Sequence, residues 1–147
     1  MKKIILTFIV LACLTSLFAQ NTGDSKEKHH ALCSERSDSL VILWTSKEAE
    51  VFTKVVFPYG LNSKTKGWWD DVELLIWGPS AKLLAGTNAL QEKVTKMKKE
   101  GVVLTACKWC ADQYGVSEEL RDLGVNVKYM GKPLTDYVKS GRKVLVF

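Results

Sequence analysis

The chain has 147 residues, a formal net charge of +5, 46% apolar residues and 25% charged residues. That length suits one domain of ordinary size, and the apolar and charged fractions exclude a largely disordered or collagen-like chain. The apolar residues are unevenly spread, and the first nineteen positions stand apart.

Met1-Lys2-Lys3 gives a short positive start, Ile4 to Leu14 an apolar run, and Thr15 to Gln20 a small-residue end. This is the pattern of a secretory signal peptide over residues 1–19, cut after Ala19, so the chain is expected to be exported, periplasmic or secreted. The run is shorter than the roughly 20 apolar residues of a spanning helix, which favours a cleaved peptide over a retained anchor. Val10-Leu11-Ala12-Cys13 loosely resembles a lipoprotein cleavage box that would leave Cys13 lipidated; the apolar Leu14 and Leu17-Phe18 that follow argue against it.

Without residues 1–19, 128 residues remain, with 19 basic and 16 acidic side chains. A net +3, dispersed along the chain, gives no reason to expect nucleic acid as a partner. Lys93, Lys96, Lys98 and Lys99 fall on the helix face opposite Leu90, Val94 and Met97, which makes them a solvated face. Residues 20–38 are polar and lack apolar periodicity, and read as a flexible leader to a domain over 39–147. His29, His30 and Cys33 lie in this leader without a second ligand cluster nearby, so no metal site is expected.

From Leu40 onward short apolar runs alternate with helical segments. Leu40 to Trp44 is a continuous apolar run, the mark of a strand buried on both faces. Ser46 is placed to cap a helix with Ala49, Phe52, Val55 and Val56 inward, ended by Pro58 and Gly60. Val72 to Trp77 is a second strand stopped by Gly78-Pro79. Asn88 with Gln91 three residues later predicts a capping box for a helix closed by Gly101. Val102 to Ala106 is the third strand, with Cys107 at its end.

A short helix, Trp109 to Tyr114, follows, closed by Gly115. Ser117 is expected to cap the next helix, whose first turn carries Glu118 and Glu119 and which Gly124 closes. Val125 to Met130 reads as strand four, Pro133 to Lys139 as a helix started by proline, and Val144 to Phe147 as strand five. Five strands separated by helices predict an α/β fold, a mostly parallel sheet covered on both faces in three α/β/α layers. The pattern leaves the strand order open.

Removal of Cys13 leaves three cysteines, an odd count that points to a free or intermolecular thiol rather than a disulfide framework. The informative segment is Cys107-Lys108-Trp109-Cys110. Ligands of an open parallel sheet bind outside the carboxyl ends of the strands. Cys107 stands there, before a helix whose first amides, together with Lys108, favour thiolate. Cys110, one turn on, is placed to resolve a persulfide or close a disulfide. The alternatives are two small buried residues or an inert local bridge.

The segment Gly101-Val102-Val103-Leu104-Thr105-Ala106-Cys107-Lys108-Trp109-Cys110-Ala111-Asp112-Gln113-Tyr114-Gly115-Val116, with Leu123-Gly124-Val125-Asn126-Val127 after it, resembles the DsrE/DsrF-like family. The resemblance covers roughly Leu40 to Phe147. It implies a domain of the sulfur-relay type in which Cys107 accepts sulfur as a persulfide and hands it on, with a sulfur donor or acceptor protein as partner. Cys110 then matches the second cysteine of a subset of the family. Assembly into homo- or hetero-oligomers is implied as well. The relay proteins it resembles are cytoplasmic, whereas this chain reads as exported, and bulky Trp109 stands where small residues are more usual.

The other strand-end loops supply further candidates for substrate binding. Gly78 and Gly131 allow backbone approach to a ligand, or simply serve turns. Ser46 and Ser80 offer hydroxyls to a thiolate or persulfide, or act as helix caps. Trp68-Trp69 suits a subunit interface or packing over the sheet edge. No histidine lies in the 39–147 region to serve as a base for a cysteine hydrolase, and no glycine-rich phosphate loop is present, so no cofactor is expected. Two rival readings stand beside the sulfur carrier: a thiol–disulfide oxidoreductase using the Cys107/Cys110 pair, and a non-catalytic binding or assembly module.

Overall fold

A computed structural model describes residues 38–147; the readings of a signal peptide, of Cys13 and of the leader with His29, His30 and Cys33 lie outside the described residues. The elements in chain order are β1 (Ser39–Trp44), α1 (Ala49–Val51), a π-helical segment (Phe52–Val56), α2 (Phe57–Thr65), β2 (Asp71–Ile76), α3 (Pro79–Ala85), α4 (Asn88–Lys99), β3 (Val103–Cys107), α5 (Lys108–Tyr114), α6 (Ser117–Asp122), β4 (Asn126–Lys128), α7 (Gly131–Lys139) and β5 (Lys143–Val146). The five strands make one parallel sheet, as the α/β pattern predicts, and the structure sets their order as β4-β3-β2-β1-β5.

That order explains how the helices are shared between the faces. From β1 the chain steps one strand at a time to β4, then returns across the sheet to pair β5 with β1. Crossovers between parallel strands are right-handed, so the outward steps lay their helices on one face and the return step lays α7 on the other. On the first face Leu40, Ile42, Trp44, Leu74, Ile76 and Leu104 meet Phe52, Leu84, Leu90, Val94, Met97 and Leu120 in the main core. On the second face Val41, Leu43, Leu75, Cys107 and Met130 form a smaller cluster, with Leu134 and Tyr137 of α7 packed against it. The three layers are therefore unequal.

The unbroken apolar runs mark the inner strands. Every residue of β1 is buried, as are the last five of β2. The edge strands β4 and β5 are short and contain no buried residue. Leu90, Val94 and Met97 are buried, and the lysines of α4 lie on its outer side.

Several local expectations are corrected. The first helical stretch does not stop at Pro58 and Gly60 but runs on to Thr65. The π-helical segment makes this possible: the Phe57 N–H donates to Phe52 O, five residues back, and Pro58 enters at the start of α2, where its missing N–H costs little. Gly60 is a packing glycine there, because a Cβ would lie 2.7 Å from Met97 Cε and 3.0 Å from Ile42 Cδ1.

Asn88 and Gln91 form no capping box. Thr87 holds the N-cap position, and Gln91 Nε2 instead donates to the Leu84 and Ala85 carbonyls at 3.1 and 2.8 Å, tying α4 to the end of α3. Ser117 is the first residue of α6 rather than its cap, and its hydroxyl donates to Asp112 Oδ1 at 2.6 Å. Strand β4 is confined to Asn126–Lys128, and α7 begins at Gly131, two residues ahead of Pro133.

Candidate functional site

Cys107 is both the last residue of β3 and the N-cap of α5, so one residue carries the chain from sheet to helix. Strand alternation turns Ala106 to the main core and Cys107 to the α7 face. Cys110 lies in the first turn of α5, and both thiols pack in the same apolar cluster. Both are free thiols, 4% and 5% exposed. Burial, foremost, pushes the Cys110 thiol up; a hydrogen bond with the Gly78 backbone draws it down, and neighbouring Cys107 pushes it up again. Cys110 is thus held in the neutral, proton-bearing form at ordinary pH.

The remaining candidates divide. Gly78, at φ +67°, brings its backbone to Cys110, and a Cβ built on it would meet nothing within 4 Å, so open space lies above it. Gly131 opens α7 directly after Met130, which packs against the thiols, and the space over it is open too. Trp109 is 63% exposed beside the pair. Lys108 turns to Asp112 and lies with its ammonium 5.5 Å from the Tyr129 ring centroid. Asp112 holds Lys108 above the usual lysine range, and Lys108 with Ser117 holds Asp112 below the usual carboxylate range.

The two serines are occupied elsewhere. Ser80 Oγ is buried, donating to Trp44 O at 2.6 Å and accepting from the Trp77 N–H at 3.1 Å, which fastens the ends of β1 and β2. Ser46 Oγ accepts from the Glu48 N–H at 3.1 Å, one turn ahead of α1 rather than at its cap, and the Ser46 N–H donates to Phe147 O. Trp69 packs against the main core, and exposed Trp68 leans on Tyr59 with centroids 6.2 Å apart.

Sequence reasoning missed which side chains pack around the thiols and a polar cluster on the same face. The thiols pack with Val41, Leu43, Leu75 and Met130, and partly buried Trp77, Leu134 and Tyr137 lie against this cluster. Glu73 is 4% exposed; its Oε1 accepts from Thr105 Oγ1 at 2.6 Å and its Oε2 lies 3.1 Å from Arg142 Nη1. The Arg142 guanidinium stacks 4.3 Å over the Tyr137 ring, and burial together with Glu73 raises the Tyr137 hydroxyl. The signal was present in the sequence: a carboxylate inside Val72-Glu73-Leu74-Leu75-Ile76 must find a partner if that strand is buried on both faces. Among the described residues no group of three or more His, Cys, Asp or Glu side chains is placed to hold a metal ion.

The sequence profile of the DsrE/DsrF-like family matches residues 46–147. The chain belongs to this family. Its structure is similar to that of a conserved protein of unknown function, BT1422, from Bacteroides thetaiotaomicron, with 38% identity over 75% of this chain and 95% of that one and a TM-score of 0.73. It also shares the fold of the ychN protein from E. coli, at 17% identity over 76% of this chain and 99% of that one, TM-score 0.56. No curated protein matches significantly. As a DsrE-family domain the chain presents its cysteine pair at the carboxyl end of the central sheet, the position at which open parallel sheets bind their ligands.

Proposed function

We propose that this DsrE-family protein is a sulfur carrier that takes up sulfur as a persulfide on Cys107, with Cys110 assisting. The observation that carries the reading is the pair itself: two free thiols packed in one apolar cluster at the end of β3, with burial pushing the Cys110 thiol up toward its protonated form. A neutral neighbouring thiol can give its proton to a departing sulfur species, or displace the bound sulfur and close a disulfide. Treatment with polysulfide followed by mass spectrometry tests this: a gain of about 32 Da on the Cys107 peptide, lost in Cys107→Ser, is the expected result. An unmodified Cys107 together with catalysed reduction of insulin disulfides overturns it and makes the pair a thiol–disulfide oxidoreductase, the reading that two free thiols in one cluster also favour.

The protein acts outside the cytoplasm in this proposal, following the signal-peptide pattern of residues 1–19. Amino-terminal sequencing of the exported chain should begin at Gln20; a retained Met1 would refute export by cleavage. No helix among the described residues is long and apolar enough to cross a membrane. Self-association through the α7 side completes the proposal, supported by Val103, Val138 and Val146, which stand exposed there. Light scattering that finds only monomers at micromolar concentration would remove it.

A further inference from the structure

The cation that sequence reasoning assigned to the thiols is Lys108, yet its ammonium is bound to Asp112 and lies over Tyr129. The sheet register brings a second cation to the site. Cys107 pairs directly with Lys128 of β4. Register partners of parallel strands stand about 4.8 Å apart and send their side chains to the same face, so Lys128 rises beside Cys107 on the α7 side of the sheet. Lys128 is exposed and makes no ion pair with a carboxylate among the described residues. The carboxylates on surrounding elements are engaged: Asp112 with Lys108, Glu73 with Arg142, and Asp136 with Lys132. The uncharged polar groups packed with Cys107 are the Cys110 thiol and the Tyr137 phenol.

We infer that Lys128 is a substrate-binding residue of the Cys107 site, and that the sulfur donor it receives is an anion carrying a sulfur–sulfur bond. The inference rests on the sulfur-carrier reading and names its substrate class. With hydrodisulfide as the simplest donor, the Cys107 thiol and HSS⁻ give the Cys107 persulfide and HS⁻. The donor's S–S bond breaks, one S–S bond forms on Cys107, and no outside oxidant or reductant is needed. The negative charge passes from donor to leaving hydrosulfide while Lys128, with its root one strand away, stays beside it. The side chains packed around Cys107 are otherwise mostly apolar, which leaves the lysine as the feature that distinguishes an anionic donor from a neutral one.

The test compares alkylation of Cys107 in the full chain by iodoacetate, an anion, and iodoacetamide, its neutral analogue. Trypsin cleaves after Lys99, Lys108 and Arg121, so Cys107 and Cys110 are scored on separate peptides. The iodoacetate-to-iodoacetamide rate ratio should fall on the order of fivefold in Lys128→Gln and recover in Lys128→Arg, while Lys132→Gln leaves it unchanged. A ratio that is unmoved in Lys128→Gln, or that falls only in Lys108→Gln, overturns the inference. If Cys107 resists both reagents, the initial rate of persulfide formation with hydrodisulfide at low and high salt decides the matter. Wild type should slow with salt and Lys128→Gln should not; equal salt dependence overturns the inference. A ratio insensitive to Lys128 alongside normal sulfur uptake defeats the role of Lys128 alone. Absent sulfur uptake with a Lys128-dependent ratio defeats the carrier reading and keeps the anion site.

Discussion

Toward Phe52, Leu84, Leu90 and Met97, strands β1 to β3 present only apolar side chains; toward α7 the same strands present Glu73, Thr105 and Cys107. The difference follows from topology. Three outward crossovers seal one face, while a single returning helix, none of whose residues is fully buried, covers the other. Stability and chemistry are thereby divided between faces: the sealed face supplies most of the apolar burial, and the thinly covered face has room for polar groups and reactive sulfur.

The sharpest way to break this division is to truncate one residue on each side. Leu74→Ala, in the sealed core, should cost about 3 kcal/mol in urea unfolding, and Leu134→Ala on α7 about 1 kcal/mol. Similar losses would mean that both faces carry stability alike. Glu73→Gln removes the charge that faces Arg142 while keeping an acceptor for Thr105. It should cost about 2 kcal/mol, less than a fully buried pair because Arg142 is partly exposed, and hydrogen exchange should rise in α7 and β5 before β1.

A third test uses pH. Cys110 and Tyr137 both have raised folded-state values, so the unfolded chain releases these protons first as pH rises. Their stabilising contribution is complete below the unfolded values and declines above about 8.5 for the thiol and about 10 for the phenol. Cys110→Ala should flatten the lower part of the alkaline decline and Tyr137→Phe the upper part; unchanged slopes in chemical denaturation would contradict the assignment. The smallest effect belongs to the rim: Lys108→Ala should leave the urea midpoint essentially unchanged, since its pair with Asp112 is solvent-exposed.

What the sequence disclosed and what it hid follow the same division. The apolar runs Leu40 to Trp44 and Val72 to Trp77 announce inner strands because burial on both faces leaves no polar alternation. Cys107 was legible because a strand end in an α/β pattern is already a functional position. Local helix signals failed where tertiary contacts took over the same atoms: Gln91 serves α3 rather than its own helix, and Ser117 serves Asp112. Glu73, Arg142 and Lys128 were hidden for another reason. Their roles depend on strand order and register, and alternation within a strand does not reveal its neighbour.

The π-helical segment has a consequence for chain length. A π turn holds one residue more than the α-helical turn it replaces, so it acts as a spacer within the helix. Deleting Thr53 would restore ordinary α-helical spacing and leave the flanking turns in nearly their present rotation. Pro58 would then meet the carbonyl ladder that the wider turn now avoids. The helix that reads as broken in the sequence is continuous because it is one residue too long.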